Sequence, residues 1–292
     1  MAKIVPAQNR FVVSVPHGTA VNVDIAQCLS TINRRMYRQG MNYYVESISV
    51  HSGAACVMGV ASVPDTWVTH NAWKKGYETW RTMQNEYGDG MGATLKGKWA
   101  DFKVLLDDGG ESFVTPVDGN SDAYLLGEWI YSNFVYDDAG TARSPAIALI
   151  GSSTDDTHIG LIEAYGDARN FVSSNSGEPI GPSELTTGFY AQFHGVGDID
   201  DELGTDLISD NDLPPYDLDD YPGGDANGDH PILQATLATT AEYPISSVGG
   251  FTAPCGLLQL QQAQASGTDA VLVFITIGVG PYKGVMASKM GQ

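Results

Sequence analysis

Oxygen-bearing side chains crowd one stretch of this 292-residue chain. Asp217, Asp219 and Asp220, then Asp225, Asn227 and Asp229, offer donors at alternating positions. Calcium takes about six to eight oxygens and tolerates irregular loops, so these six residues are candidate calcium ligands. Asp225-Ala226-Asn227-Gly228-Asp229 has the look of the start of a calcium loop, but no bidentate Glu follows at the twelfth position, which argues against an EF-hand. A looser or intersubunit calcium site and a solvated acidic loop are the two readings left open.

Cations beside aromatic rings form the second constellation. Arg34, Arg35 and Arg38 cluster late in a predicted helix, and Lys74, Lys75 and Arg81 interleave with Trp73 and Trp80 in another. Such residues suit a nucleic acid, with charge on the phosphates and rings against the bases. The competing reading is that the cations favour the helix C-terminal dipole and the tryptophans belong to the core. A third is that this basic surface meets the acidic loop of a neighbouring copy, which would support head-to-tail assembly into a closed shell or ring.

Catalytic chemistry is thinly signalled. There is no G-x-S-x-G elbow, H-E-x-x-H, P-loop or C-x-x-C. The six histidines are scattered without ligand spacing. Asp155-Asp156-Thr157-His158 is the nearest local cluster, and it sits in a Gly/Ser-rich turn where solvation explains it. Glu128 and Glu163 fall on predicted strands and are candidates for an acid–base pair. Cys28, Cys56 and Cys255 are odd in number and far apart. That argues against a disulfide framework and a zinc motif and predicts buried free thiols.

Charge is distributed unevenly over the chain. Residues 1–103 hold 11 Lys/Arg against 7 Asp/Glu, and residues 104–292 hold 4 against 28, within a net charge of −20. Asp198 to Asp229 alone carries 12 acidic side chains and no Lys or Arg. Carboxylates so dense repel one another over roughly 8 Å at physiological salt. They call for divalent cations, a basic partner surface or a salty medium. At 42% hydrophobic and 10% aromatic, the chain is far from a disordered acidic polymer. No apolar run reaches the ~18 residues that span a bilayer, so no transmembrane segment is expected. Met1 to Pro6 lacks the pattern of a signal peptide.

The elements that must position these residues are mostly strands. Phe11–Val15 and Thr19–Asp24 are short strands. Asp24 then caps a helix through Gln39 whose buried face is Ile25, Cys28, Leu29, Ile32 and Met36. Asn42–His51 alternates, with Tyr44, Glu46, Ile48 and Val50 on one face and Tyr43, Val45, Ser47 and Ser49 on the other. Ala54–Ser62 is its predicted partner. A second helix, Trp67–Tyr87, carries the stripe Trp73, Tyr77, Trp80 and Gln84, and Gly76 within it marks a break or a close packing contact. Predicted strands follow at Ala100–Leu106, Tyr124–Tyr136, Ala146–Ile150 and Ile159–Tyr165, with a short helix at Ser183–Phe193. Asp198–His230 has no periodicity, and residues 207–231 contain four prolines (Pro214, Pro215, Pro222, Pro231). Ile232–Thr239, Gly256–Gln261 and Ala270–Gly278 close the chain, the last apolar on both faces and therefore a central strand. The expected fold is all-β and mainly antiparallel: a single jelly-roll β-sandwich domain over 1–292, with helical insertions near 25–39 and 67–87 and an acidic loop near 198–231.

Several stretches carry a family likeness. They are Ile32-Asn33-Arg34-Arg35-Met36-Tyr37-Arg38-Gln39-Gly40 with Tyr43-Tyr44-Val45, and Pro64-Asp65-Thr66-Trp67-Val68-Thr69 with Asn71-Ala72-Trp73-Lys74-Lys75-Gly76. Pro214-Pro215-Tyr216-Asp217, Tyr221-Pro222-Gly223-Gly224 and Gly250-Phe251-Thr252-Ala253-Pro254-Cys255-Gly256-Leu257 add to them. Over most of its length the chain resembles jelly-roll coat proteins of small icosahedral viruses, most of all those of small circular single-stranded DNA viruses. The resemblance implies a structural protein without enzymatic activity. Copies of it would form a shell around a genome, and it would be made in the host cytoplasm and carried in the virion. Many such coats open with an Arg/Lys-rich arm, whereas residues 1–33 here hold only Lys3 and Arg10. Genome contact would then fall to folded basic surface. Two other readings stand beside this one: a calcium-dependent carbohydrate-binding or adhesion β-sandwich, and a β-sandwich glycosidase or lyase using Glu128 and Glu163.

Overall fold

The computed structural model describes residues 6–88, 101–107, 113–138, 141–170, 231–264 and 270–291. The first half of the described chain runs β1 (Arg10–Val15), β2 (Ala20–Asp24), α1 (Ile25–Asn33), β3 (Met41–His51), β4 (Cys56–Ser62) and α2 (Trp67–Gly88). Short elements follow: β5 (Tyr136–Asp138), β6 (Thr141–Arg143), β7 (Ala146–Ala148), β8 (His158–Gly160) and α3 (Leu161–Asn170). The last part holds β9 (Ile232–Thr239), β10 (Ile245–Val248), β11 (Phe251–Ala253), β12 (Leu257–Gln264), β13 (Val271–Ile277), β14 (Val279–Gly280), β15 (Gly284–Val285) and β16 (Ala287–Lys289).

Two mainly antiparallel sheets make a β-sandwich. One has the order β1-β13-β3-β10, with β11 and β16 also pairing with β3; the other has the order β2-β12-β4-β9. The chain crosses from one sheet to the other at each step from β1 to β4, then β9 pairs with β4 in the same sheet before β10 returns to the first. The inward residues interdigitate: Val13 and Val15 of β1, Ile48 and Val50 of β3, Val273 and Ile275 of β13, against Val21 and Val23 of β2, Met58 and Val60 of β4, Leu258 and Leu260 of β12. All are buried, and each contributes about 1.5–3 kcal/mol of apolar burial. As expected of a strand apolar on both faces, β13 lies between β1 and β3.

A second apolar cluster joins α2, α3, β7, β8 and the irregular stretch 102–106. Asp107 ties it to the sandwich by accepting from Asn22 of β2 (3.3 Å) and Gln259 of β12 (2.8 Å).

Four expectations give way to the structure. The first helix ends at Asn33, not Gln39. Arg34 takes φ 51°, ψ 41°, and its N–H returns to the Ser30 carbonyl, closing the helix in the left-handed manner. Ser30 Oγ then accepts from Tyr37 N (2.8 Å) and turns the chain. Ile159–Tyr165 is a strand only to Gly160. From Leu161 onward a helix forms, because Leu161, Ile162, Ala164, Tyr165 and Ala168 share one face at helical spacing and pack into the second cluster. Of the predicted strand Tyr124–Tyr136, residues 124–135 are an extended strap without a ladder, joined to β7 by the bridge Asn133–Ala146, and only Tyr136 enters a strand, β5. Within Ala100–Leu106, the described residues make only the bridge Leu105–Ala148.

The alternation in β3 also changes phase. Tyr43 and Val45 are buried together with Ile48 and Val50, because the register against β13 shifts between Ser47–Thr276 and Val45–Ile277. One extra residue, Glu46, bulges and turns the earlier half of the strand over. The predicted helix Ser183–Phe193 and the acidic stretch 198–230 lie outside the described residues.

Candidate functional site

A groove of about 900 Å³ is bounded by the end of α1, the Arg34–Met36 turn, the second half of α2, residues 101–103 and the strap 126–135. Its size falls within the roughly 300–1,000 Å³ of ligand clefts. A smaller hollow of about 580 Å³ lies beside the other end of the strap, and Arg34 lines both.

The strap is held by side chains rather than by a ladder. Trp129 Nε1 donates to Asp24 Oδ2 (3.0 Å), and the Tyr131 hydroxyl reaches the same oxygen at 3.5 Å. Gln39 Nε2 donates to it as well (3.1 Å), while Asp24 Oδ1 accepts from Gln27 N at the start of α1 (3.1 Å). Gln39 also clasps Val104, donating to its carbonyl (2.9 Å) and accepting from its N–H (2.5 Å). Further along the strap, Ser132 and Lys103 exchange backbone and hydroxyl bonds, and Val135 N–H donates to Met83 Sδ (3.1 Å). Tyr131 stacks on Phe113 at 4.9 Å.

Burial dominates the electrostatics of this network. It pushes the Asp24 carboxyl up to about 6 despite the N–H donors that favour its charged form. It raises Asp101 too, against the pull of Arg38 and Lys103. Tyr131 is raised by burial and then by the nearby Asp24 charge.

Of the six predicted cations, the structure brings Arg34 and Arg35 to the groove, along with Trp80. Arg35 makes one long bond to the Pro6 carbonyl (3.5 Å). Arg34's guanidinium has no partner among the described residues. Arg38 does not line the groove, but its guanidinium lies 4.0 Å from Asp101, which does. Lys74, Lys75 and Arg81 do not line the groove; Lys74 packs beside Gly291. The aromatic stripe of α2 is largely core, with Trp73 and Tyr77 stacked at 5.3 Å and both against Phe102. Trp80 packs on Phe102 as well and also faces the groove.

Lys103, Trp129 and Tyr131 are groove residues that the sequence reading passed over. Lys103 is 6% exposed, and its ammonium lies 4.9 Å from the centre of the Trp129 ring. A lysine among apolar residues of a predicted strand was the available signal, since a buried cation needs a reason.

Other candidates fall elsewhere. Glu128 is exposed on the strap, whereas Glu163 opens α3 and accepts from the amide and hydroxyl of Ser153 (both 3.1 Å). Glu163 does not line the groove that Glu128 lines. Asp155 caps its own turn, accepting from Thr157 N (2.9 Å) and Oγ1 (3.0 Å), and Asp156 pairs with Arg143. The three cysteines are free and buried, as predicted. The calcium candidates Asp217, Asp219, Asp220, Asp225, Asn227 and Asp229 lie outside the described residues. No described helix is long and apolar enough to cross a membrane. No protein-family model, curated protein or solved structure matches the chain.

Proposed function

We propose that this chain is the shell-forming subunit of a small icosahedral virus, a jelly roll whose work is to contact copies of itself around a genome. The observation that carries this reading is the strand order. The eight main strands, taken in sequence, pair as first-eighth-third-sixth in one sheet and second-seventh-fourth-fifth in the other. A chain folded twice over as a Greek key, the arrangement used by viral capsid and lectin domains, would pair its strands in this order, which supports the jelly-roll reading. The long connections fall between β4 and β9, where insertions leave the sandwich intact.

Exposed apolar side chains at one edge add support. β9 and β10 are the outer strands of their sheets. Leu233 is 60% exposed, Ile245 58%, and Tyr243 in the turn between them 72%. Apolar edge strands left open are templates for association, and a second copy is the partner that a closed shell supplies.

Electron microscopy of the purified full chain tests the proposal. Closed particles of uniform size are expected, and Leu233→Asp with Ile245→Asp should abolish them. A monomer under every condition of salt, pH and calcium would refute the shell, and glycan binding by that monomer would favour the lectin use of the same architecture.

A further inference from the structure

We propose that the groove between α2 and the strap holds a single acyl chain with an anionic head, the tail along the strap and the head at the Arg34–Arg35 pair. The inference needs only the folded chain and stands apart from the shell reading.

Exposed apolar side chains carry the argument. On the strap, Leu126 is 42% exposed, Ile130 67% and Val135 43%, and all three line the groove. The strap commits Trp129 and Tyr131 to Asp24, yet it leaves these aliphatic groups open to the trough. Trp80 and Met83 of α2 and Met36 of the turn line it as well, and methionine adapts its shape to a flexible chain. Large apolar side chains gathered on one exposed wall mark a ligand groove or an interface.

Charge selects the head group. Arg34 and Arg35 are exposed in the same groove. Arg34 has no hydrogen-bond or ion-pair partner among the described residues, and Arg35 has only its long bond to the Pro6 carbonyl (3.5 Å). In the wall, Asp101 is attracted by both Lys103 and Arg38. Glu128 is the other carboxylate lining the groove, so two exposed guanidinia stand against one exposed carboxylate. The smaller hollow sets Asp118 and Asp122 against Arg34 alone and repels an anion, which places the head in the larger groove. A carboxylate fits the fork of a guanidinium through paired, charge-assisted bonds. Inorganic phosphate would leave the aliphatic wall in water, and a neutral sugar would leave the guanidinia unmatched. A fatty acid meets both.

The test is displacement of dansyl-labelled undecanoic acid from the full chain, read by dansyl emission, with every amphiphile below its micelle concentration. The probe should bind saturably, and dodecanoate should displace it. Dodecanol and dodecyltrimethylammonium, with the same tail and no anionic head, should each compete about tenfold less well. Decanoate should compete about fifteenfold less well than dodecanoate, the loss expected for two buried methylenes. Arg34→Ala/Arg35→Ala should weaken dodecanoate about tenfold and leave dodecanol unchanged, whereas Leu126→Ser/Ile130→Ser should weaken both. Val279→Ser, at an exposed apolar position outside the groove, should change neither. The substituted side chains are all exposed, and should one double variant fail to fold, the other carries the test. Equal competition by dodecanol and dodecanoate, or dodecanoate binding indifferent to both double variants, would overturn the inference. Stronger displacement by a single-stranded oligothymidylate would give the groove to a nucleic acid. Binding to phosphatidylglycerol vesicles without binding of the free amphiphile would give it to a membrane surface. Loss of the probe as the chain self-associates would give it to a second copy. Each of these three results would overturn the inference as well.

Discussion

Asp24 serves two structures from one buried position: its Oδ1 caps α1, and its Oδ2 gathers Trp129, Gln39 and Tyr131 from outside that helix. The cap was legible in the sequence as a carboxylate just before an apolar helical face. The three other donors were not, because they come from residues 15 to 107 positions away. Burial raises this carboxyl to about 6, above its unfolded value near 3.9. The native state therefore takes up the proton first, and the group's contribution to stability grows as pH falls from about 6 toward about 4. Asp24→Asn keeps the volume but turns an N–H₂ toward donors on one side, which should cost about 1–3 kcal/mol. Because the amide does not titrate, its penalty relative to wild type should widen by about 1 kcal/mol between pH 7 and pH 5. Urea unfolding at the two pH values measures this, and a penalty independent of pH would show that Asp24 keeps an ordinary value.

Elements were read correctly where a single pattern ran uninterrupted. β1, β2, β4, β9 and β13 match their predicted spans closely because each alternates or is apolar throughout over its whole length. The misses share a cause, which is that local pattern was overruled by a contact distant in sequence. The Glu46 bulge is imposed by pairing with β13, and the strap of residues 124–135 looks like a strand but finds side chains instead of a ladder. Gly76 shows the same conflict inside α2. A Cβ there would come within 2.6 Å of Leu161 Cδ2 and 3.0 Å of its Cδ1, and Leu161 is fully buried between α2 and α3. Helix propensity favours Ala over Gly by about 1 kcal/mol, while overpacking costs about 1–3. Gly76→Ala should therefore destabilise the protein, and the cost should vanish in a Leu161→Ala background. A double-mutant cycle by chemical denaturation checks this, and stabilisation by Gly76→Ala alone would show that the helices have room to spare.

For the whole molecule, the uneven charge bears on assembly. With 28 acidic side chains beyond residue 103, copies that bring these segments together must neutralise them. If they do, chelator or low salt should dissociate the particles, and calcium or mild acid should restore them, as followed by light scattering. Particles indifferent to all four treatments would place the acidic segment in solvent. Composition and periodicity, read alone, determined that this is a mainly antiparallel β-protein with helices after the second and fourth strands, a capped first helix and buried free thiols. Those properties depend on neighbours within a turn or a strand, and such neighbours are written in order along the chain. Only the tertiary structure decided which strands share a sheet, that Arg34 and Arg35 leave the helix and face a groove while Lys74 does not, and that Lys103 joins them. Each of these is a contact between residues far apart in sequence, and no local spacing encodes it.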